Sequence, residues 1–111
     1  MLSLCLDTSA ATTVALVNDT LVLSRAANKS TRHHAESIAV LVTQVLTEAG
    51  LAPQGAAAGL DRVCVGTGPA PFTGLRAGLV SARVYARAAA IPVYGVSSLD
   101  AIARAALDLL P

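Results

Sequence analysis

Between Gly66 and Gly78 the chain reads GTGPAPFTGLRAG, four glycines and two prolines directly after the apolar run Val63-Cys64-Val65. A glycine-rich turn between a strand and a helix is one way to bring backbone N–H groups close to a phosphate. A second polar cluster, Asp7-Thr8-Ser9, closes the apolar run Leu2–Leu6, and its carboxylate could orient a water or a metal-bound phosphate. The candidate contacts for an anion or nucleotide are therefore Asp7, Thr8, Ser9, Gly68, Thr73 and Gly74. A plainer reading weighs against this one. Asp7–Thr13 contains no glycine, and its hydroxyls and carboxylate can satisfy local backbone at a strand end. Gly66 and Gly68 permit a tight turn, Pro69 and Pro71 stiffen it, and Phe72 can plug the core below. The loop is thus read as shaping a helix entry rather than cradling phosphate.

Other chemistry finds little support. His33 and His34 are adjacent, so on a helix they project about 100° apart and cannot share one ion. Only Glu36, three residues after His33, stands at a useful offset. Ser9, Ser97 and Ser98 have no base or oxyanion partner within sequence reach. Cys5 and Cys64 each sit in an apolar strand-like run. Buried free thiols in a reducing compartment are expected, a disulfide between neighbouring strands being the other reading. No metal and no cofactor are expected.

The composition sets the frame. The 111 residues are 54% hydrophobic and 14% charged, which excludes a disordered chain. A net charge of +1 gives no basic footprint for direct nucleic-acid binding. So little charge leaves few groups to coat a surface, and some apolar surface is expected to serve a partner. Met1–Asp7 has no positive region of the kind a signal peptide carries, and no run approaches the ~18 apolar residues of a membrane span. A soluble, cytoplasmic protein is expected.

Hydrophobic patterning supplies the elements. Leu2–Leu6, Thr12–Val17 and Leu21–Ala26 read as strands, the last two joined by a tight turn at Asn18-Asp19-Thr20. Ser30 or Thr31 caps a helix to about Ala49, stopped by Gly50, with Ile38, Leu41, Val42, Val45, Leu46 and Ala49 as its apolar stripe. Ala52–Gly59 is a linker of small residues, Arg62–Val65 a fourth strand, and Thr73–Ala90 a second helix. Ile91–Val96 is a fifth strand, and Ser97 or Ser98 caps a third helix to Leu110. The order β-β-β-α-β-α-β-α predicts an α/β fold, a mixed five-stranded sheet with helices packed on it.

Four segments, LDTSAATTVALVND, RHHAESI, GTGPAPFTGLRAGLVSA and IPVYGVSSLDAIA, resemble in order the N-terminal domain of the bacterial TsaB (YeaZ) family. The block GxGPxxFTGLRxG followed by GVSSL carries most of the likeness. The resemblance implies an actin/sugar-kinase/Hsp70-like (ribonuclease H-like) lobe spanning residues 1–111, with the family's second lobe absent from this chain. It implies a non-catalytic paralogue of TsaD that pairs with it. With a TsaE-like ATPase and threonylcarbamoyl-adenylate, the pair modifies the adenosine beside the anticodon of ANN-decoding tRNAs. Where TsaD carries two metal-binding histidines in GVNHLEGH, this chain has Ser98 and Ile102. Where the family usually reads GPGSFTG, Ala70 and Pro71 replace Gly and Ser. Both departures favour an accessory role over an enzyme.

On a helical wheel the second helix has two apolar flanks, Leu75, Leu79, Ala82 and Ala86 on one side, Ala77, Val80, Val84 and Ala88 on the other. Arg76, Arg83 and Arg87 form a solvated stripe between them, and Gly74, Gly78 and Ala82 make a small-residue row suited to close approach by another helix. The expected partner surface comprises His33, His34, Ser37, Val40, Leu41, Gln44, Ala77, Val80, Ser81, Val84, Tyr85 and Ala88. Through it the chain is expected to bind a TsaD-like catalytic paralogue, to meet tRNA only indirectly, and to form a homodimer when alone. Alternatives are a nucleotide-dependent transferase or peptidase-like enzyme, or a purely structural homodimer module.

Overall fold

The computed structural model describes residues 1–8, 11–28, 34–51, 59–68 and 72–97. The elements are β1 (Leu2–Asp7), β2 (Thr12–Asn18), β3 (Leu21–Asn28), α1 (His34–Glu48), β4 (Arg62–Gly66), α2 (Phe72–Ala89) and β5 (Val93–Val96). They form the expected five-stranded mixed sheet, in the order β3-β2-β1-β4-β5. β1 is antiparallel to β2 and parallel to β4, and β5 continues the parallel half. The linker at 52–58 and the third helix expected over 98–110 lie outside the described residues.

Alternation along the strands fixes one buried face. Leu4 stands opposite Leu16 and Val63, and Leu6 opposite Val14 and Val65. All six are almost wholly buried. They pack against Ile38, Leu41, Val42, Val45 and Leu46 of α1 and Ala82 and Ala86 of α2. α1 lies mainly over β2 and β3, and α2 over β4. Ser24, on the same face, donates its hydroxyl to the Val45 carbonyl at 2.7 Å, satisfying a polar group inside the β3–α1 contact. On the opposite face Arg62 Nε donates to Ser3 Oγ at 2.7 Å, tying β4 to β1.

Both helices end in the same way. Gly50 takes a left-handed φ of 77°. Its N–H donates to the Thr47 carbonyl and that of Leu51 to the Leu46 carbonyl, the paired bonds of a Schellman motif. At the end of α2 Ala90 holds φ 56°, with bonds from Ala90 to Arg87 and from Ile91 to Ala86. This motif explains why β5 begins at Val93 rather than at the expected Ile91: the Ile91 N–H is already committed to the helix end, and Pro92 has none.

The small-residue row Gly78–Ala82, expected to suit close approach by another element, packs inside the protein. Gly78 and Ala82 turn onto the sheet together with Ala86, and Ala82 is fully buried. The small residues set how closely α2 approaches its own β1.

Candidate partner face and strand-end cleft

The outer surface of α1 and α2 carries the first candidate site. Val40 on α1 is 66% exposed, and Val80 and Val84 on α2 are 52% and 60% exposed. They are exposed because the core stripes of both helices leave no inward place for them. Val80 and Val84 are four residues apart, one turn on the same face. Between the helices runs a groove of about 190 Å³ lined by Ile38, Ala39, Val80, Ser81, Val84 and Tyr85. A second hollow of about 200 Å³ adjoins the start of α1, lined by Asn28, Glu36, Ser37, Val40 and Leu41. Asn28 Nδ2 donates to Ser37 Oγ at 3.0 Å, which ties the end of β3 to α1 there. Burial pushes the half-buried Tyr85 phenol up from its ordinary value.

The expected interface residues separate on this geometry. Ser37, Val40, Gln44, Val80, Ser81, Val84, Tyr85 and Ala88 are exposed or partly exposed along α1 and α2. Gln44 donates to Glu48 Oε1 at 3.2 Å. Leu41 instead turns into the core at 7% exposure, and Ala77 packs partly against it. His34 opens α1, and His33 lies outside the described residues.

The second candidate lies where β1 and β4 end, on the sheet face away from both helices. Its cavity of about 260 Å³ is bordered by Cys5, Asp7, Thr13, Cys64, Gly66 and Ser97 among others. Asp7 fits there because residue 66 has no side chain: a Cβ on Gly66 would lie 2.8 Å from the Asp7 carboxyl carbon. Thr8 is turned away from the cavity, buried beneath α2 with its Oγ1 against Gly78. Gly68 is buried with φ 100°, and its carbonyl accepts from Ser97 Oγ at 3.5 Å. Thr73 and Gly74 lie in the first turn of α2, and Ser9 lies outside the described residues. Of the six proposed anion contacts the cavity lining contains Asp7. Cys5 and Cys64, which the sequence left as either free thiols or a cross-strand pair, stand in register on β1 and β4 as free cysteines. Among the described residues no group of three or more His, Cys, Asp or Glu is placed to hold a metal ion. No described helix is long and apolar enough to cross a membrane.

Known proteins match both the sequence and the shape. The family model for TsaD, tRNA N6-adenosine threonylcarbamoyltransferase, covers residues 22–110. The Bacillus subtilis tRNA threonylcarbamoyladenosine biosynthesis protein TsaB is 31% identical over 104 residues, 93% of this chain and 44% of that protein. YeaZ from Pseudomonas aeruginosa superposes with a TM-score of 0.84 at 33% identity, covering 97% of this chain and 49% of its own. The chain belongs to the TsaB/YeaZ family. An uncharacterised Mycobacterium tuberculosis protein is 47% identical over 102 residues, 89% of this chain and 46% of that protein. The chain thus spans about half the length of the TsaB/YeaZ relatives it matches. Its mixed five-stranded sheet with α1 and α2 on one face is the N-terminal lobe architecture of YeaZ, consistent with an actin-like α/β fold.

Proposed function

We propose that this lobe serves tRNA threonylcarbamoyladenosine formation as a partner-binding subunit that docks a TsaD-like catalytic paralogue on the α1–α2 face. The single observation behind the reading is the set Val40, Val80 and Val84, three branched apolar side chains more than half exposed on neighbouring helices. Water-facing positions on helices are ordinarily polar, and a clustered apolar group rimmed by polar residues is the mark of a protein contact. Arg83, Arg87, Gln44 and Glu48 supply such a rim. The family match and the tRNA threonylcarbamoyladenosine biosynthesis role of the Bacillus subtilis relative direct the reading to tRNA modification.

In this role the lobe makes no bonds. It holds the paralogue in an active arrangement, while the chemistry and most of the tRNA contact belong to the complex, a TsaE-like ATPase included. A homodimer through the same face is the state expected when the paralogue is missing. Reconstitution tests the reading: threonylcarbamoyl transfer to tRNA by the paralogue and the ATPase, with and without this chain. Activity that requires the chain and is lost on Val84→Glu supports it. Activity indifferent to the chain contradicts it.

A further inference from the structure

Cys5 and Cys64 occupy directly opposed positions on the parallel strands β1 and β4. Their neighbours Leu4, Leu6, Val63 and Val65 take the helix side of the sheet, so both cysteines belong to the other face. Adjacent strands lie about 4.8 Å apart, within the range of about 4.4–6.8 Å between Cα atoms that a disulfide spans. Both are free cysteines, and both are partly exposed. Both line the strand-end cavity. Two residues further on, Asp7 sits close against Gly66 at the ends of the same two strands. The proposed partner face, on the far side of the sheet, makes no use of this pair.

We propose that Cys5 and Cys64 form a reversible redox-modification site, which a small disulfide such as oxidised glutathione converts to a cross-strand disulfide. Burial holds the Cys5 thiol protonated, so Cys64 makes the first attack: its thiolate opens the small disulfide, giving a mixed disulfide and releasing one small thiol. The second protein thiolate then attacks the protein sulfur of that mixed disulfide and releases the other small thiol. One S–S bond breaks and one forms, two electrons pass from the protein sulfurs to the small disulfide, and the two thiol protons leave on the released thiols. The second step is intramolecular, between residues directly opposed on neighbouring strands, so it outruns capture of another small molecule. Directly opposed positions on neighbouring strands are a constrained setting for the bond, which belongs with the labile disulfides that small thiols reverse.

The test incubates the full chain with excess oxidised glutathione, followed by intact mass and peptide mapping without reductant. The expected wild-type product has lost two hydrogens, keeps no glutathionyl group, yields a peptide pair joining residues 5 and 64, and returns to the dithiol in reduced glutathione. Cys5→Ser, checked for native circular dichroism, keeps one glutathionyl group on Cys64. A wild-type chain that stays reduced, accumulates glutathionyl groups or links to a second chain overturns the proposal. Since the wild-type product alone is decisive, a variant that fails to fold does not remove the test.

Discussion

Thr8 and Gly78 meet where β1 runs out beneath α2: a Cβ on residue 78 would stand 2.5 Å from Thr8 Oγ1. This contact sets how low the helix sits on the sheet. Thr8 cannot yield, since it is 2% exposed and its branched side chain is stiff about χ1.

Gly78→Ala therefore reverses the usual rule for a helix interior. Replacing glycine by alanine there normally stabilises by about 0.5–1 kcal/mol. Here the overpacking cost of about 1–3 kcal/mol wins, and the variant is expected to lose stability in denaturant titration. Combined with Thr8→Ala, the loss should be smaller than the sum of the two single losses, because the second change opens the space the first requires. A stabilised Gly78→Ala chain would show that α2 sits higher than described.

The two helix ends predict opposite outcomes for opposite changes. Ala90 holds a left-handed φ that costs an L-residue with a Cβ about 1–2 kcal/mol, so Ala90→Gly should stabilise by roughly 1 kcal/mol. Gly50→Ala places the same strain at the end of α1 and should destabilise by a similar amount, roughly 1 kcal/mol. Thermal melts check both, with a shift of about 4 °C for each kcal/mol.

Stability should also fall in alkaline solution through Cys5. Desolvation by burial, reinforced by the neighbouring Cys64, pushes its thiol from 9.0 up to about 11, with Arg62 opposing. Between these values the unfolded chain releases a proton that the folded chain keeps. The contribution is thus intact below about pH 9 and lost as the pH rises toward 11. Melts across this window should show a decline for the wild-type chain that is shallower for Cys5→Ser. An identical decline in both would assign it to other groups.

Much of the fold was legible because its signals are local. The stripe Ile38, Leu41, Val42, Val45 and Leu46 is wholly buried, and Gly50 ends α1 where its left-handed φ is needed. The apolar run Leu2–Leu6 likewise marked β1, which places Leu4 and Leu6 in the core. The orientation of α2 was not legible. Both flanks are apolar, so the wheel gives no preference until β1 is in place and Thr8 demands a glycine at position 78 above it. Leu41 was assigned both to the core stripe and to the partner face, and the packing resolves the conflict in favour of the core. The cysteine pair needed the register of β1 against β4, which depends on a strand order that no single segment encodes.

The most direct measurement of the partner face is size-exclusion chromatography with light scattering on this chain mixed with its TsaD-like paralogue. The account predicts a one-to-one complex that is weakened at least about 100-fold by Val80→Glu or Val84→Glu, since either would bury an unpaired carboxylate. Val22→Glu, on the exposed part of β3, should leave the complex intact. A chain that stays apart from the paralogue, or a complex indifferent to both α2 variants, would contradict it.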